Sequence, residues 1–270
     1  MQQIQGILQR IQDLVQRPKQ ESDAEKHLAR ELEHERWKRR RIQSKMKRLR
    51  KRAGAPAVTE RTHALPEPDT SVNKYQIFHN LISLFKPGKM LDLGAGKGNF
   101  SLAAAKLGWE VTAVDARTVR WPDPETEEDP DHAELIRSIR WVQADVRGFP
   151  TRSGEYDLIC ILGLLHHLEM DDQIELLKRC SDTLTLLDVR IAPEVVIREG
   201  PYEGEYKSEP GETREERDQI PQAAWGNEVS FRHTEESLVR LARDCGYSKV
   251  MPMKPPHRLD YMFYLCLPPP

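Results

Sequence analysis

Long apolar runs are missing from this 270-residue sequence. The longest lies around Leu158–Leu165, far short of the roughly 20 residues a membrane span needs. The N-terminus, Met-Gln-Gln-Ile-Gln, has no apolar core followed by a small-residue cleavage site, so no signal peptide is expected. Cysteine is scarce. Cys160, Cys180, Cys245 and Cys266 form no Cys-x-x-Cys pair, which favours reduced, packed thiols in a cytoplasmic protein over a disulfide frame or a zinc site. No residues show the ligand spacing of a divalent ion, so no metal is expected. Acids are absent from residues 36–52, which carry eleven Lys or Arg. That stretch contributes +11 to a formal total of −2, so the rest of the chain carries −13. A basic segment is attached to an acidic body.

What is present separates into three parts. Residues 1–52 hold no glycine after Gly6 and read as helix, with Pro18 as a break or kink. A heptad frame from Ile4 through Leu28 and Leu32 to Leu49 predicts a helical, coiled-coil-like arm. Residues 53–70 hold three prolines and read as a linker. From residue 71 onward, strand-like and helix-like stretches alternate. Strands are expected at Met90–Leu93, Glu110–Val114, Arg140–Gln143, Tyr156–Leu162, Leu184–Ile191, Lys249–Met253 and Leu259–Leu267. Helices are expected at Ser71–Phe85, Asn99–Leu107, Asp171–Ser181 and Glu235–Cys245. This alternation predicts an α/β domain with a doubly wound, mostly parallel sheet. The last two strands are too close for a helix between them and predict an antiparallel hairpin. Residues 193–230, rich in Glu, Tyr, Arg and Gly, read as a polar insertion forming a lid over a substrate, and the acidic stretch Asp123–Asp131 reads as solvated surface.

One segment carries chemistry. Lys89 to Leu93 is a buried strand, and Gly94-Ala95-Gly96-Lys97-Gly98 is a turn into a helix beginning at Asn99. Glycines Gly94, Gly96 and Gly98 let the backbone turn sharply and let a ligand approach the main chain. Asp115 ends the second strand, where an acid takes both hydroxyls of a ribose. The pattern places a nucleoside-containing cofactor over the carboxyl ends of the first two strands.

This stretch resembles motif I of the class I S-adenosylmethionine-dependent methyltransferases, and the similarity continues from about residue 71 to 267. Gln143-Ala144-Asp145-Val146 is similar to the family's third strand, and Tyr156–Leu168 to its fourth strand and following loop. Phe231–Tyr247 is similar to the late helix of its small-molecule and sugar members. The family's Pro-Gly-Gly turn before strand five is replaced by Arg179–Thr183. The resemblance implies a seven-stranded sheet with the last two strands antiparallel, and S-adenosylmethionine as cofactor. It implies that Asp145 meets the adenine amino group, that Leu162 ends the cofactor-facing fourth strand, and that Tyr75 lines the methionine end beside Asn73 and Lys74. Asp92, near the glycine loop, is placed to hold loop amides or the cofactor's ammonium.

Methyl transfer to an alcohol needs alignment and removal of one proton, a task suited to histidine. His166 and His167 follow the fourth strand and are the expected catalytic or acceptor-orienting residues, with His167 ahead. Asp188 and Arg190 are charged residues in an apolar fifth strand, either an ion pair or acceptor contacts. Tyr202, Tyr206, Trp225 and His233 are the rings expected near a flat or polyhydroxylated acceptor. The expected acceptor is a hydroxylated small molecule or a glycan. The arm is expected to make a homo-oligomer, with residues 36–52 binding RNA phosphates or an anionic membrane as competing roles. An RNA methyltransferase and a non-catalytic scaffold remain the alternative readings.

Overall fold

The computed structural model describes residues 74–192, 195, 197–220, 223–253 and 261–270. The expected arm at 1–52, the linker at 53–70 and the oligomer, RNA and membrane roles assigned to the arm lie outside the described residues.

Among the described residues a seven-stranded sheet forms the centre. Its strands are β1 (Lys89–Leu93), β2 (Glu110–Asp115), β3 (Arg140–Gln143), β4 (Leu158–Leu162), β5 (Thr185–Arg190), β9 (Lys249–Met253) and β10 (Tyr261–Leu267). The order is β3-β2-β1-β4-β5-β10-β9. The first five strands are parallel, and β10 runs antiparallel to both β5 and β9. The direction of the chain across the sheet reverses between β1 and β4, and at such a point the strand ends leave a crevice for a ligand. The expected class of fold and the antiparallel final hairpin are both present.

Each central strand reads as a near-continuous apolar run because both faces are covered. β4, Leu-Ile-Cys-Ile-Leu, is buried at every position. One face packs beneath α1 (Lys74–Ile82) and α2 (Asn99–Lys106), with Phe78, Ile82 and Phe100 in the core. The other packs against α4 (Met170–Cys180) and α6 (Glu235–Asp244), through Leu176, Leu177, Leu238 and Leu241. The four cysteines are free and buried, as expected. Burial raises the thiol pKa of Cys180 and Cys266 to about 12, so these side chains behave as small hydrophobes.

Two features depart from the expected plan. The acidic stretch after β2 leads into a helix, α3 (Pro130–Ser138). Asp129 caps it by accepting from the backbone N–H of Asp131 at 3.0 Å and of His132 at 3.5 Å, and Pro130 supplies the fixed first residue. The second departure is the insertion. It builds a further antiparallel sheet, β6-β7-β8, from β6 (Ile197–Glu199), β7 (Tyr202–Ser208) and β8 (Val229–His233), with α5 (Arg214–Gln219) between the last two. β8 lies against the 3-10 turn Leu165–His167, with the Phe231 N–H donating to Leu168 O at 3.1 Å. Buried Gln173 of α4 locks that junction, donating to Leu168 O at 3.0 Å and to Phe231 O at 2.8 Å.

Strand alternation gives this second sheet two unlike faces. Phe231 and His233 oppose Tyr206 and Gly204, with rings of Tyr206 and Phe231 5.0 Å apart and those of Phe231 and His233 4.8 Å apart. One end of this aromatic face meets α6. There Tyr202 donates to Asp244 at 3.2 Å, and Nδ1 of His233 lies 2.8 Å from the Ser237 hydroxyl. The opposite face carries Glu205, Lys207, Ser230 and Arg232.

Candidate active site

The glycine turn begins the site. Gly94, Gly96 and Gly98 have φ of 79°, 58° and 73°, a region that L side chains rarely adopt. Their surroundings differ. A Cβ on Gly98 would lie 2.3 Å from the Trp141 ring, so this glycine is required by packing as well as by its backbone. A Cβ on Gly96 would meet only the tip of Arg120, at 3.9 Å. Its main chain is therefore open to a ligand.

Asp115 ties the turn to the end of β2. One carboxylate oxygen accepts from the Gly96 N–H at 2.8 Å and the other from the Arg117 N–H at 2.8 Å. A carboxylate has about four lone-pair sites, so both oxygens keep acceptor capacity for hydroxyl donors.

A cavity opens above these strand ends. Gly94, Gly96 and Asp115 form one wall, with Ala116, Arg117 and Arg120. Asp145, Val146 and Arg147 follow β3, and Gly163, Leu164, His167 and Leu168 follow β4. Ala223, Ala224 and Trp225 of the insertion complete the lining. Arginines hold this last segment. Arg117 donates to Ala223 O at 2.9 Å and stacks over the Trp225 ring at 5.5 Å, while Arg147 donates to Trp225 O at 3.0 Å. Arg147 also clamps Asp145, with contacts from 2.6 to 3.0 Å. Burial alone would raise the Asp145 pKa, but the hydrogen bonds from Arg147 outweigh it and hold the carboxyl below its usual value.

Of the two adjacent histidines, His167 lines this cavity, and it has a partner that the sequence did not announce. Its Nδ1 lies 3.3 and 3.4 Å from the two carboxylate oxygens of Glu209. The Glu209 side chain is fully buried. It also accepts from the Ser230 hydroxyl at 2.6 Å and the Ala224 N–H at 3.0 Å, and Lys207 Nζ stands 3.9 Å away. Burial works to raise its pKa, but the hydrogen bonds from His167 and Ser230 prevail and bring it to about 2. An ionised carboxylate only accepts, so His167 Nδ1 must donate to it. Nε2 is left as the basic atom of the ring. Glu209 thus joins the histidine to the segment over the cavity.

The other expected residues fall in several places. Asp92 is buried beneath the loop and accepts from the Ser101 hydroxyl at 2.6 Å; burial raises its pKa to about 6. Leu162 is buried at the end of β4, below the lining residues. Tyr75 accepts from Asn99 at 3.0 Å and stacks on Phe100 at 4.9 Å, outside the cavity lining. His166 is 3% exposed, and its Nδ1 accepts from the Arg190 N–H at 3.2 Å. Burial drives its pKa well down, and it packs as a neutral ring beneath His167. Buried Asp188 faces Lys74 Nζ at 3.8 Å, an ion pair between β5 and α1. Arg190 stands over the Tyr261 ring at 6.0 Å. Of the rings expected near an acceptor, Tyr202 and His233 reach Asp244 and Ser237 of α6, Tyr206 packs on Phe231, and none of the three belongs to the cavity lining. Burial holds His233 neutral, with its pKa lowered to about 3. Of the expected rings, Trp225 reaches the cavity.

A sheet of this order, with a glycine turn on β1 and an acid at the tip of β2, defines the class I S-adenosylmethionine-dependent methyltransferase fold. Residues 90–185 match the family model described as a methyltransferase domain, and the cofactor expected for such a domain is S-adenosylmethionine. The donor set fits that molecule, with two carboxylates, an open Gly96 backbone and an apolar wall of Val146, Leu164 and Trp225. Among solved structures, the N-terminal domain of EvdMO1, crystallised in the presence of S-adenosylhomocysteine and D-fucose, is similar with a TM-score of 0.54 and 18% identity. That match covers 84% of this chain and 95% of the other. The glycopeptide N-methyltransferase MtfA complexed with S-adenosylmethionine is similar with a TM-score of 0.50 and 17% identity, covering 75% and 90%. In sequence, the O-antigen chain terminator bifunctional methyltransferase/kinase WbdD of Escherichia coli is 28% identical over 122 residues. The match covers 44% of this chain and only 17% of that relative.

Proposed function

We propose that the chain transfers the methyl group of S-adenosylmethionine to a hydroxyl oxygen of a small molecule or glycan, with His167 as general base. The observation that carries the proposal is the His167–Glu209 pair on the cavity wall. The cofactor supplies a methyl group already activated on a sulfonium. What remains for the chain is alignment of the acceptor and removal of the hydroxyl proton as the oxygen attacks. Buried Glu209 fixes the tautomer of His167 and stabilises the imidazolium formed when Nε2 takes that proton. Asp115 and Asp145 supply acceptors for the ribose hydroxyls and the adenine amino group, and the open backbone of Gly96 lets the nucleoside approach. The names of the similar proteins support a glycan-type acceptor, since WbdD is an O-antigen chain terminator and MtfA acts on a glycopeptide.

The test is transfer of radiolabel from S-adenosylmethionine into a host extract, fractionated into RNA, protein, lipid-linked glycan and small molecules. Label in the glycan or small-molecule fraction, lost in His167→Ala, is the expected result. Label that disappears with ribonuclease would transfer the assignment to RNA and to residues 36–52.

A further inference from the structure

Consecutive residues of the insertion touch different parts of the site. Ala223 O accepts from Arg117 at 2.9 Å, the Ala224 N–H donates to Glu209 at 3.0 Å, and Trp225 O accepts from Arg147 at 3.0 Å. Each of these partners has a second attachment. The Arg117 N–H donates to Asp115, at the end of β2, at 2.8 Å. The Arg147 guanidinium grips Asp145, just beyond β3, at 2.6 to 3.0 Å. Glu209 holds His167. One short segment therefore joins the carboxylates assigned to the nucleoside with the carboxylate behind the base.

Arg147 is the most heavily committed of the three partners. Its Nη2 carries two hydrogens and has two acceptors, Asp145 and Trp225 O. Its Nη1 faces Asp172 of α4 at 3.6 Å. One planar group ties the end of β3, α4 and the insertion together, which an ammonium on a flexible stem does not reproduce. The chain makes room for this approach. Gly226, next after Trp225, has φ of 80°, and a Cβ there would lie 3.2 Å from Arg147 Nη2. A side chain at that position would crowd the guanidinium off Trp225 O.

We propose that Arg147, together with Arg117, is a positioning residue for the base: through Ala223–Trp225 it sets Glu209, and through Glu209 it sets the orientation of His167. The proposal rests on the reading of His167 as the base and deepens it by coupling that base to the nucleoside site. A ligand that fixes Asp115 and Asp145 also fixes the two arginines, the segment they hold and the Glu209 carboxylate bound to its middle residue. Two sites that share such an element bias one another reciprocally. Arg147 moves no proton itself.

The test has two readouts on the full chain, and the first needs no acceptor. With 15N-labelled histidine, the Nδ1–H of His167 is identified by its absence from His167→Gln. Its exchange with solvent should slow about fivefold or more when S-adenosylhomocysteine binds, the low end of coupling between sites. Arg147→Lys, which keeps the charge beside Asp145, and Gly226→Ala, which leaves Arg147 itself intact, should both abolish most of that slowing. The second readout is the rate of label transfer from saturating radiolabelled S-adenosylmethionine into the host small-molecule and glycan extract. Each variant should lower it about tenfold, the loss of one hydrogen bond to a charged group. S-adenosylhomocysteine affinity of Gly226→Ala should stay within about threefold, since Gly226 does not line the cavity; that result also shows the variant to be folded. A rate restored to the wild-type value by saturating cofactor would confine Arg147 to Asp145 and overturn the proposal. Slowing that is absent from the wild type, or that persists in both variants, would overturn it too. Binding and slowing in the wild type with no label in any fraction would remove the methyl-transfer reading and leave the coupling standing. No binding of S-adenosylhomocysteine would remove both.

Discussion

The two walls of the cavity are built in different ways. One is a single stretch from Gly94 to Asp115, made of a turn and the strand that follows. The other collects Asp145, His167 and Ala223–Trp225, with Glu209 behind them, from distant parts of the chain. The first wall depends on backbone conformation, which glycine spacing records directly. The second depends on which strands pair and which arginines reach across. It is held by single contacts, such as Arg117 to Ala223 and Glu209 to Ala224. The contrast sets the glycine turn and Asp115 of the local wall apart from the His167–Glu209 pair of the assembled one.

The largest effect expected from breaking the assembled wall comes from His167→Ala. Turnover should fall by about a hundredfold to ten-thousandfold, the usual worth of a general base. Cofactor affinity, measured by calorimetry, should hold within about threefold, because His167 adds only one side chain to that lining. Equal losses in both would merge the two walls into one function.

Asp92→Asn probes the local wall. Its folded pKa of about 6 lies above the ordinary 3.8, so the native state holds its proton more tightly than the unfolded chain. The penalty for ionising it is absent below about pH 4, grows as pH rises towards 6 and is constant above that. The variant should therefore gain stability at pH 7.5, by up to about 3 kcal/mol for a fully buried group, and none at pH 3.5. Denaturant melts at the two pH values check the sign.

Glu209→Gln should lower turnover by about tenfold to a hundredfold, since one charge-assisted hydrogen bond is lost while the shape is kept. Glu209→Ala should lower it further and also weaken S-adenosylhomocysteine binding, because Ala224 loses its acceptor. Trp225→Ala should cost about threefold to tenfold in cofactor affinity, from the lost stacking with Arg117 and the lost lining. The smallest effect is expected at Tyr206→Phe, where turnover should stay within about twofold because the ring packs on Phe231, outside the cavity lining. A large loss there would reverse the two faces of the second sheet.

Much of the local wall was legible in the sequence. Gly-x-Gly-x-Gly after an apolar strand, followed by Asp115, states the backbone geometry and the acid together. The strands of the main sheet were legible for a similar reason, as short apolar runs bounded by turns. The helix Pro130–Ser138 was hidden in an acidic stretch, although Asp129-Pro130 is a capping signal that would have marked it. The second sheet was obscured because its charged face gives β7 a sequence, Tyr-Glu-Gly-Glu-Tyr-Lys-Ser, that reads as a polar loop. The period-two alternation of Tyr202 and Tyr206 was the available signal. It would have placed both rings on one face. Nothing local marks Glu209. Its importance comes from burial beside His167, Ser230 and Ala224, which only the pairing of β7 with β8 brings about.

The central claim is that the crevice between Gly94 and Asp115 takes S-adenosylmethionine, and calorimetry with S-adenosylhomocysteine tests it most directly. The wild-type chain should bind one equivalent, and Asp115→Ala should lose about a hundredfold or more in affinity, as two ribose hydroxyls lose a charged acceptor. Absence of binding to the wild-type chain, or undiminished binding to Asp115→Ala, would contradict the account.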